Sequence, residues 1–91
     1  KIAKSAQDLL AKTVQQSLET NNSGDAKTAS IGALDIAVTP LKTVQTDKGI
    51  WCRTYRQELT ARNRTSSQIK SACRTNDGWV LEDDVPDLAT Q

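Results

Sequence analysis

Cys52 and Cys73 are the residues of this 91-residue chain whose type and spacing point most directly to a chemistry. If Arg62 and Asn63 form a two-residue β-turn, Cys52 faces Cys73 across a hairpin at a non-hydrogen-bonded position. The Cα atoms of such a pair lie roughly 4.5 Å apart, which falls in the range that a disulfide accepts. We therefore predict a cross-strand disulfide. The alternative is two free thiols in a cytosolic protein.

A disulfide implies an oxidising compartment, which means the periplasm, the cell surface or the exterior of the cell. The chain begins at Lys1 without Met, and it has no transmembrane segment, because no run of about 18 apolar residues is present. We therefore expect a processed or truncated soluble portion of an exported protein, with any anchor upstream of this chain.

The elements that must position the cysteines are predicted from hydrophobic periodicity over a single domain, 1–91. Residues 1–20 have one apolar stripe and are predicted to form an amphipathic helix that covers a sheet. An interfacial membrane helix is the alternative, which the mixed charges disfavour. The apolar stripe consists of Ile2, Ala6, Leu9, Leu10, Val14 and Leu18.

The remaining residues are predicted to form a polar linker over 21–32, an antiparallel sheet over 33–81 and an acidic tail over 82–91. The sheet is expected to be a four-stranded meander, which gives an α+β fold. Since Pro40 has no backbone N–H, its strand is expected to lie at an edge of the sheet or to contain a bulge there. Trp51 and Trp79, at the base of the hairpin, are assigned to the core.

Groups that perform catalysis are scarce in this sequence. It contains no His, and none of its Ser or Thr residues lies in a recognisable nucleophile motif. The carboxylates of Glu82, Asp83, Asp84 and Asp87 could hold a hard cation, but their spacing matches no calcium loop. We therefore predict a protein that is not an enzyme and that has neither a cofactor nor a metal site.

Charge is segregated along the sequence. Residues 42–74 contain eight basic and two acidic residues, whereas residues 75–91 contain five acidic residues and no basic ones. The simpler interpretation is a solvated basic hairpin that the acidic tail partly neutralises, and the functional one is a docking face for an anionic partner. The candidate partner-binding residues are Arg53, Arg56, Arg62, Arg64, Lys70 and Arg74.

Nucleic acid is a rival partner for this basic hairpin. Trp51 and Tyr55 share a strand face with Arg53 and could stack on bases. They are explained more simply as core residues, and no groove-reading or single-strand motif accompanies them. Nucleic acid is therefore disfavoured as the partner.

Three segments resemble the C-terminal domain of the rickettsial-type 17 kDa surface antigen family. They are V-T-P at 38–40, G-I-W-C-R-T-Y at 49–55, and A-C-R at 72–74 followed by D-G-W at 77–79. The chain departs from the family pattern in lacking Trp-Asn-Pro before V-T-P, and Arg62-Asn63 replaces the Gly-Gly hairpin turn. The resemblance implies an exported, outer-membrane-associated envelope protein of alphaproteobacterial type, one that is often lipid-anchored.

Two functional hypotheses follow. The first is a non-enzymatic envelope or surface protein that acts as a structural or protein-binding accessory module, whose partner is another envelope protein. The second is a polyanion-binding module that uses the basic hairpin, 53–74, against envelope glycan, lipid or nucleic acid. Affinity that collapses with added salt distinguishes the second from the first.

Overall fold

A computed structural model describes residues 3–81, which form one α-helix and a five-stranded antiparallel sheet. The strands are neighbours in sequence order, so the sheet is a meander. The predicted α+β class is confirmed, but the sheet has five strands rather than four. The elements are α1 (Lys4–Thr20), β1 (Lys27–Ile31), β2 (Leu34–Gln45), β3 (Trp51–Ala61), β4 (Arg64–Thr75) and β5 (Gly78–Leu81).

Strand β1 is the element that the sequence prediction missed, because its residues were assigned to a linker. It pairs with β2 through the register Ala29↔Ile36 and Ile31↔Leu34. Ala29 and Ile31 are half-buried while their neighbours are exposed, which is the alternation of a strand with one covered face. Its sequence does not indicate a strand, because it is only five residues long and mostly polar.

Pro40 lies in β2, which is an interior strand between β1 and β3. The expectation of an edge strand is therefore wrong, whereas the expected bulge is present between Pro40 and Lys42. The register passes from Pro40↔Tyr55 to Lys42↔Thr54. The alternation of the ladder directs the backbone of Pro40 away from β3, and the pairing with β1 ends at Val38, so the missing N–H removes no bond from either ladder.

The hairpin of β3 and β4 has the predicted register. Arg62 and Asn63 form its turn, with φ angles of 52° and 69°, which are the positive values that a two-residue hairpin turn requires. Cys52 pairs with Cys73, and the two are joined by a disulfide with their Cα atoms 4.0 Å apart. The predicted cross-strand disulfide is confirmed.

Helix α1 packs its apolar stripe on one face of the sheet. Leu18 is 2% exposed and Val14 is 8% exposed, and both contact a core that includes Val38 and Tyr55. Burying a side chain of this size stabilises the fold by about 1.5–3 kcal/mol. Leu9 and Leu10 are half-buried at the margin of this core, and Ile2 lies outside the described residues.

The two tryptophans differ in burial, although both were assigned to the core. Trp79 of β5 is buried, and its indole Nε1 donates a hydrogen bond of 3.0 Å to Oε1 of Glu19. Trp51 is 49% exposed at the start of β3. It shares a strand face with Arg53, but Arg53 is the residue that lies against the end of the helix.

Residues 82–91, including the four carboxylates considered for a cation, lie outside the described residues. Within residues 3–81, no helix combines the length and the apolar character needed to cross a membrane.

Candidate functional site

Arg53, one of the six candidate binding residues, is committed to the fold. It is only 9% exposed. Its Nε donates to Oγ1 of Thr43 at 2.8 Å, and its Nη1 donates to the carbonyl oxygen of Leu18 at 2.7 Å. Burial lowers the pKa of its guanidinium from the ordinary value. Arg53 therefore connects the helix to the sheet.

Arg74 is also engaged within the chain, although its side chain is half-exposed. Its Nη1 lies 3.3 Å from Oε2 of Glu19, and its guanidinium lies 6.0 Å from the centre of the Trp79 ring. This distance is at the outer limit for a cation–π contact. Arg74 therefore joins β4 to β5 and to the last turn of the helix.

The other four candidate cations, Arg56, Arg62, Arg64 and Lys70, belong to one hairpin. Within residues 3–81, the ion pairs are Lys4–Asp8 and Arg74–Glu19, so none of these four cations is neutralised by a neighbouring carboxylate. Arg62 lies in the turn, and Arg64 follows it at the start of β4. The hairpin register places Arg56 on the face away from the helix, and Lys70 and Arg64 on the helix side.

The sheet face away from the helix is rich in hydroxyl side chains. Thr54 and Ser71 lie opposite each other with their oxygens 3.2 Å apart, and Thr60 and Thr65 do the same at 3.0 Å. The cross-strand pairs satisfy one another, so this face is polar without burying unpaired groups. The alternation of the strands also places Thr28, Ser30, Thr39 and Ser67 on it.

The outer edge of β4 is the second notable feature of the hairpin. Strand β5 pairs only with Ala72–Thr75, so 64–71 have no outer neighbour among the described residues. Hydrogen-bonded and non-hydrogen-bonded pairs alternate from the turn outward. Every second residue of β4 therefore directs its N–H and C=O away from β3. These residues are Thr65, Ser67, Ile69 and Ser71. Residues 64–69 are exposed on both faces, and Ile69 is 58% exposed.

The edge of β5 is closed by a side chain of the helix. Oε1 of Gln15 accepts a hydrogen bond of 2.8 Å from the backbone N–H of Trp79, while Nε2 of Gln15 donates to the Trp79 carbonyl oxygen. The amide thus replaces the backbone of a neighbouring strand. Gly78 makes room for it, because a Cβ at this position would lie 2.8 Å from Oε1 of Gln15.

A groove of about 460 Å³ lies between α1 and the outer strands β4 and β5. Its walls are mainly apolar and include Leu10, Ala11, Val14, Ala72 and Leu81, while its floor contains polar groups from Tyr55, Gln57 and Lys70. Tyr55 is 1% exposed and Gln57 is 8% exposed. Both side chains line the groove.

Burial raises the pKa of the Tyr55 hydroxyl to about 12, so the group is a neutral donor at ordinary pH. An apolar groove with a few converging polar groups is the usual form of a binding site. Sequence reasoning missed this site, because the groove exists only where the helix docks on the sheet. The available signal was Gln57, a polar residue on the strand face that Tyr55 occupies.

The described residues provide binding groups rather than metal ligands. In the part of the chain from 3 to 81, no three His, Cys, Asp or Glu side chains come together as a group that could hold a metal ion. The candidate site therefore combines four cations that form no ion pair among the described residues, a strand edge that has no outer neighbour among them, and an apolar groove beside the hairpin. Comparison of the chain with protein-family models, curated proteins and solved structures gives no match, so the resemblance to the 17 kDa surface antigen family stays a prediction.

Proposed function

We propose that this chain is a non-enzymatic binding module of an oxidising, extracytoplasmic compartment that docks on an acidic protein through the β3–β4 hairpin. The observation that supports it best is the absence of an ion pair, among residues 3–81, at Arg56, Arg62, Arg64 and Lys70. The disulfide supports the compartment. A finer location, the periplasm or an outer-membrane-associated surface, is part of the proposal and depends on the family resemblance.

The hairpin suits docking because its base is fixed and its tip is accessible. The Cys52–Cys73 bond joins β3 to β4 at the base, while Arg62 and Arg64 are exposed at the other end. Exposed cations steer an acidic partner and increase the rate of association. A preorganised tip loses little conformational entropy on binding.

A polyanion-binding module is the second candidate, favoured by the same four cations, which form no ion pair among the described residues. Because these cations lie on both faces and in the turn, they can contact phosphates or sulfates around the tip without a shaped interface. Such binding releases counterions, so its affinity falls steeply as salt is added. Docking on an acidic protein also weakens with salt, but apolar contacts retain part of its affinity.

Reversal of the tip charges tests the proposal. R62E with R64E should abolish capture of an acidic partner from the envelope extract of the source cells. The matched control is K42E with K48E, which makes the same change of charge at the other end of the sheet. Both reversals should leave the melting temperature nearly unchanged, because exposed charges contribute little to stability. Undiminished capture by R62E/R64E would contradict docking through the tip.

Heparin and vesicles containing phosphatidylglycerol separate the two candidates. A polyanion-binding module should bind both probes at low salt and lose them steeply as salt rises. A module for acidic proteins should bind its captured partner more tightly than either probe at physiological salt. R62E/R64E should weaken binding whether the ligand is an acidic protein or a polyanion.

A further inference from the structure

We infer that the outer edge of β4 and the adjoining groove bind an extended peptide segment of the partner by β-strand addition. The partner segment would lie beside 65–71 in line with β5, and it would place an apolar side chain in the groove. This inference rests on the proposed protein-binding function and specifies the kind of partner.

The backbone of β4 specifies a strand as the occupant. Thr65, Ser67, Ile69 and Ser71 together present four N–H donors and four carbonyl acceptors along one open edge. In β-strand addition, such main-chain groups provide affinity, while pockets for alternate side chains provide specificity. Seven residues of an added strand would cover this edge, at roughly 3.3 Å per residue.

The neighbouring edge shows how this sheet protects a strand edge where no partner is needed. At β5, the side-chain amide of Gln15 bonds both backbone groups of Trp79. Along 65–71, no side chain among the described residues bonds the outward N–H and C=O groups in this way. Open edges are usually blocked because they pair with other chains. The contrast within one sheet therefore favours an edge that is kept available for a partner.

The groove indicates the side chain that the partner segment would supply. It begins where β5 ends at Leu81, and it extends along the helix side of β4 as far as Lys70. The residue opposite Lys70 in an added strand would point toward Leu10 and Ala11, which favours an apolar side chain. The Tyr55 hydroxyl and the Gln57 amide, which line the groove, would offer hydrogen bonds at the floor.

The cations beside the open edge indicate which other side chains the partner segment would carry. Arg64 and Lys70 lie on the helix side of β4, and neither forms an ion pair among the described residues. Glu58 lies on the opposite face, across from Ser67. Carboxylates are therefore favoured on the helix side of the added strand, beyond its apolar residue. The expected ligand alternates these residues with small polar or β-branched ones, which suit the hydroxyl-rich opposite face.

Hydrogen exchange on the free, oxidised chain is the first part of the test. The amides of Thr65, Ser67, Ile69 and Ser71 should exchange rapidly, since they have no partner among the described residues, whereas those of the β2 and β3 ladder should be protected. Slow exchange at these four amides in the free chain would mean that the edge is already covered, which would overturn the inference.

The second part uses the peptide TLTETETE and its reverse, which represent antiparallel and parallel addition. One of them should bind and slow exchange at the four edge amides. The control is the same peptide with proline in place of the threonines, which removes the donors of the added strand and should abolish binding. Binding that leaves the edge amides unprotected would overturn the inference.

Two pairs of variants locate the site. S67P removes one outward donor and should weaken peptide binding about fivefold or more, whereas T28P makes the same change on the outer edge of β1 and should not. A11F fills the groove and should abolish binding, whereas Q16F places the same ring elsewhere on the exposed helix surface. A11F tests the site even if S67P disturbs the strand. Equal binding by A11F and Q16F would contradict a role for the groove.

The outcome for the natural partner separates this inference from the proposed function. If R62E/R64E abolishes partner binding while the edge amides stay unprotected in the wild-type complex, the hairpin docks by its side chains and strand addition is wrong. If the edge is protected but the tip reversal has no effect, strand addition holds and docking through the tip charges is wrong.

Discussion

The guanidinium of Arg53 in β3 donates a hydrogen bond of 2.7 Å to the carbonyl oxygen of Leu18, which lies in the last turn of α1. The last carbonyls of a helix have no partner within the helix and carry partial negative charge, so a cation is favourable there. A second bond, to Thr43, fixes the side chain from the neighbouring strand. Arg53 thereby determines where the end of the helix lies on the sheet.

Replacing Arg53 with Met should destabilise the fold by about 1.5–3 kcal/mol, since it removes hydrogen bonds from a charged donor and leaves a buried carbonyl oxygen unpaired. Urea unfolding measures this loss. R56M is the control, and it should change stability by no more than about 0.5 kcal/mol, since Arg56 makes no ion pair among the described residues. Equal losses for the two variants would contradict a structural role for Arg53.

The hairpin could be predicted from sequence because its information is local. Cys52, Cys73 and the turn at Arg62-Asn63 lie in one segment, and simple pairing from the turn gives the observed register. The role of Arg53 could not be predicted, because its partner Leu18 is 35 residues away and belongs to the helix. A basic residue on a strand has the same sequence signature whether it binds a partner or a helix end.

The disulfide gives a prediction about stability. Cys52 and Cys73 are 21 residues apart, and closing a loop of this length stabilises the folded state by about 3 kcal/mol in the chain-entropy model. Urea unfolding with and without a thiol reductant should show this difference. Intact mass under non-reducing conditions should be lower than the reduced mass by two hydrogens. Two thiols that alkylate readily in the native chain would contradict the bond and the inferred compartment.

Tyr55 gives a prediction about pH. Its pKa is raised from 10.0 to about 12 in the folded chain, because burial disfavours the phenolate. The unfolded chain therefore loses this proton first, and the free energy of unfolding should fall as pH rises from about 10 to about 12, by roughly 2–3 kcal/mol. Below this range the stability due to Tyr55 is fully present.

Two measurements check the pH prediction. Tyr55 is the only tyrosine in the chain, so tyrosinate absorbance reports its titration alone. Urea unfolding across the same pH range should show a decline for the wild type that is absent in Y55F, which has no ionisable group at this position. Titration of the native tyrosine near its ordinary pKa would show that the hydroxyl is solvated rather than buried.

Other differences between the predicted and the observed fold arise from packing. Strand β1 consists of residues such as Lys27 and Thr28 that resemble a linker, and only its pairing with β2 makes it a strand. Pro40 was expected at an edge or at a bulge because proline lacks a donor, and β2 is an interior strand with a bulge at this point. The groove at Tyr55 and Gln57 depends on how the helix lies across the strands, which periodicity does not specify.

The bond between Gln15 and Trp79 gives the last prediction, on stability and on association. Q15L should leave the N–H and C=O of Trp79 without their partner, which should cost about 1–3 kcal/mol in urea unfolding. Q16L, on the next helix residue, removes an exposed amide and should have little effect. Because Q15L also opens the edge of β5, it should increase self-association in sedimentation at high concentration. A Q15L chain as stable and as monomeric as Q16L would show that the amide does not protect this edge.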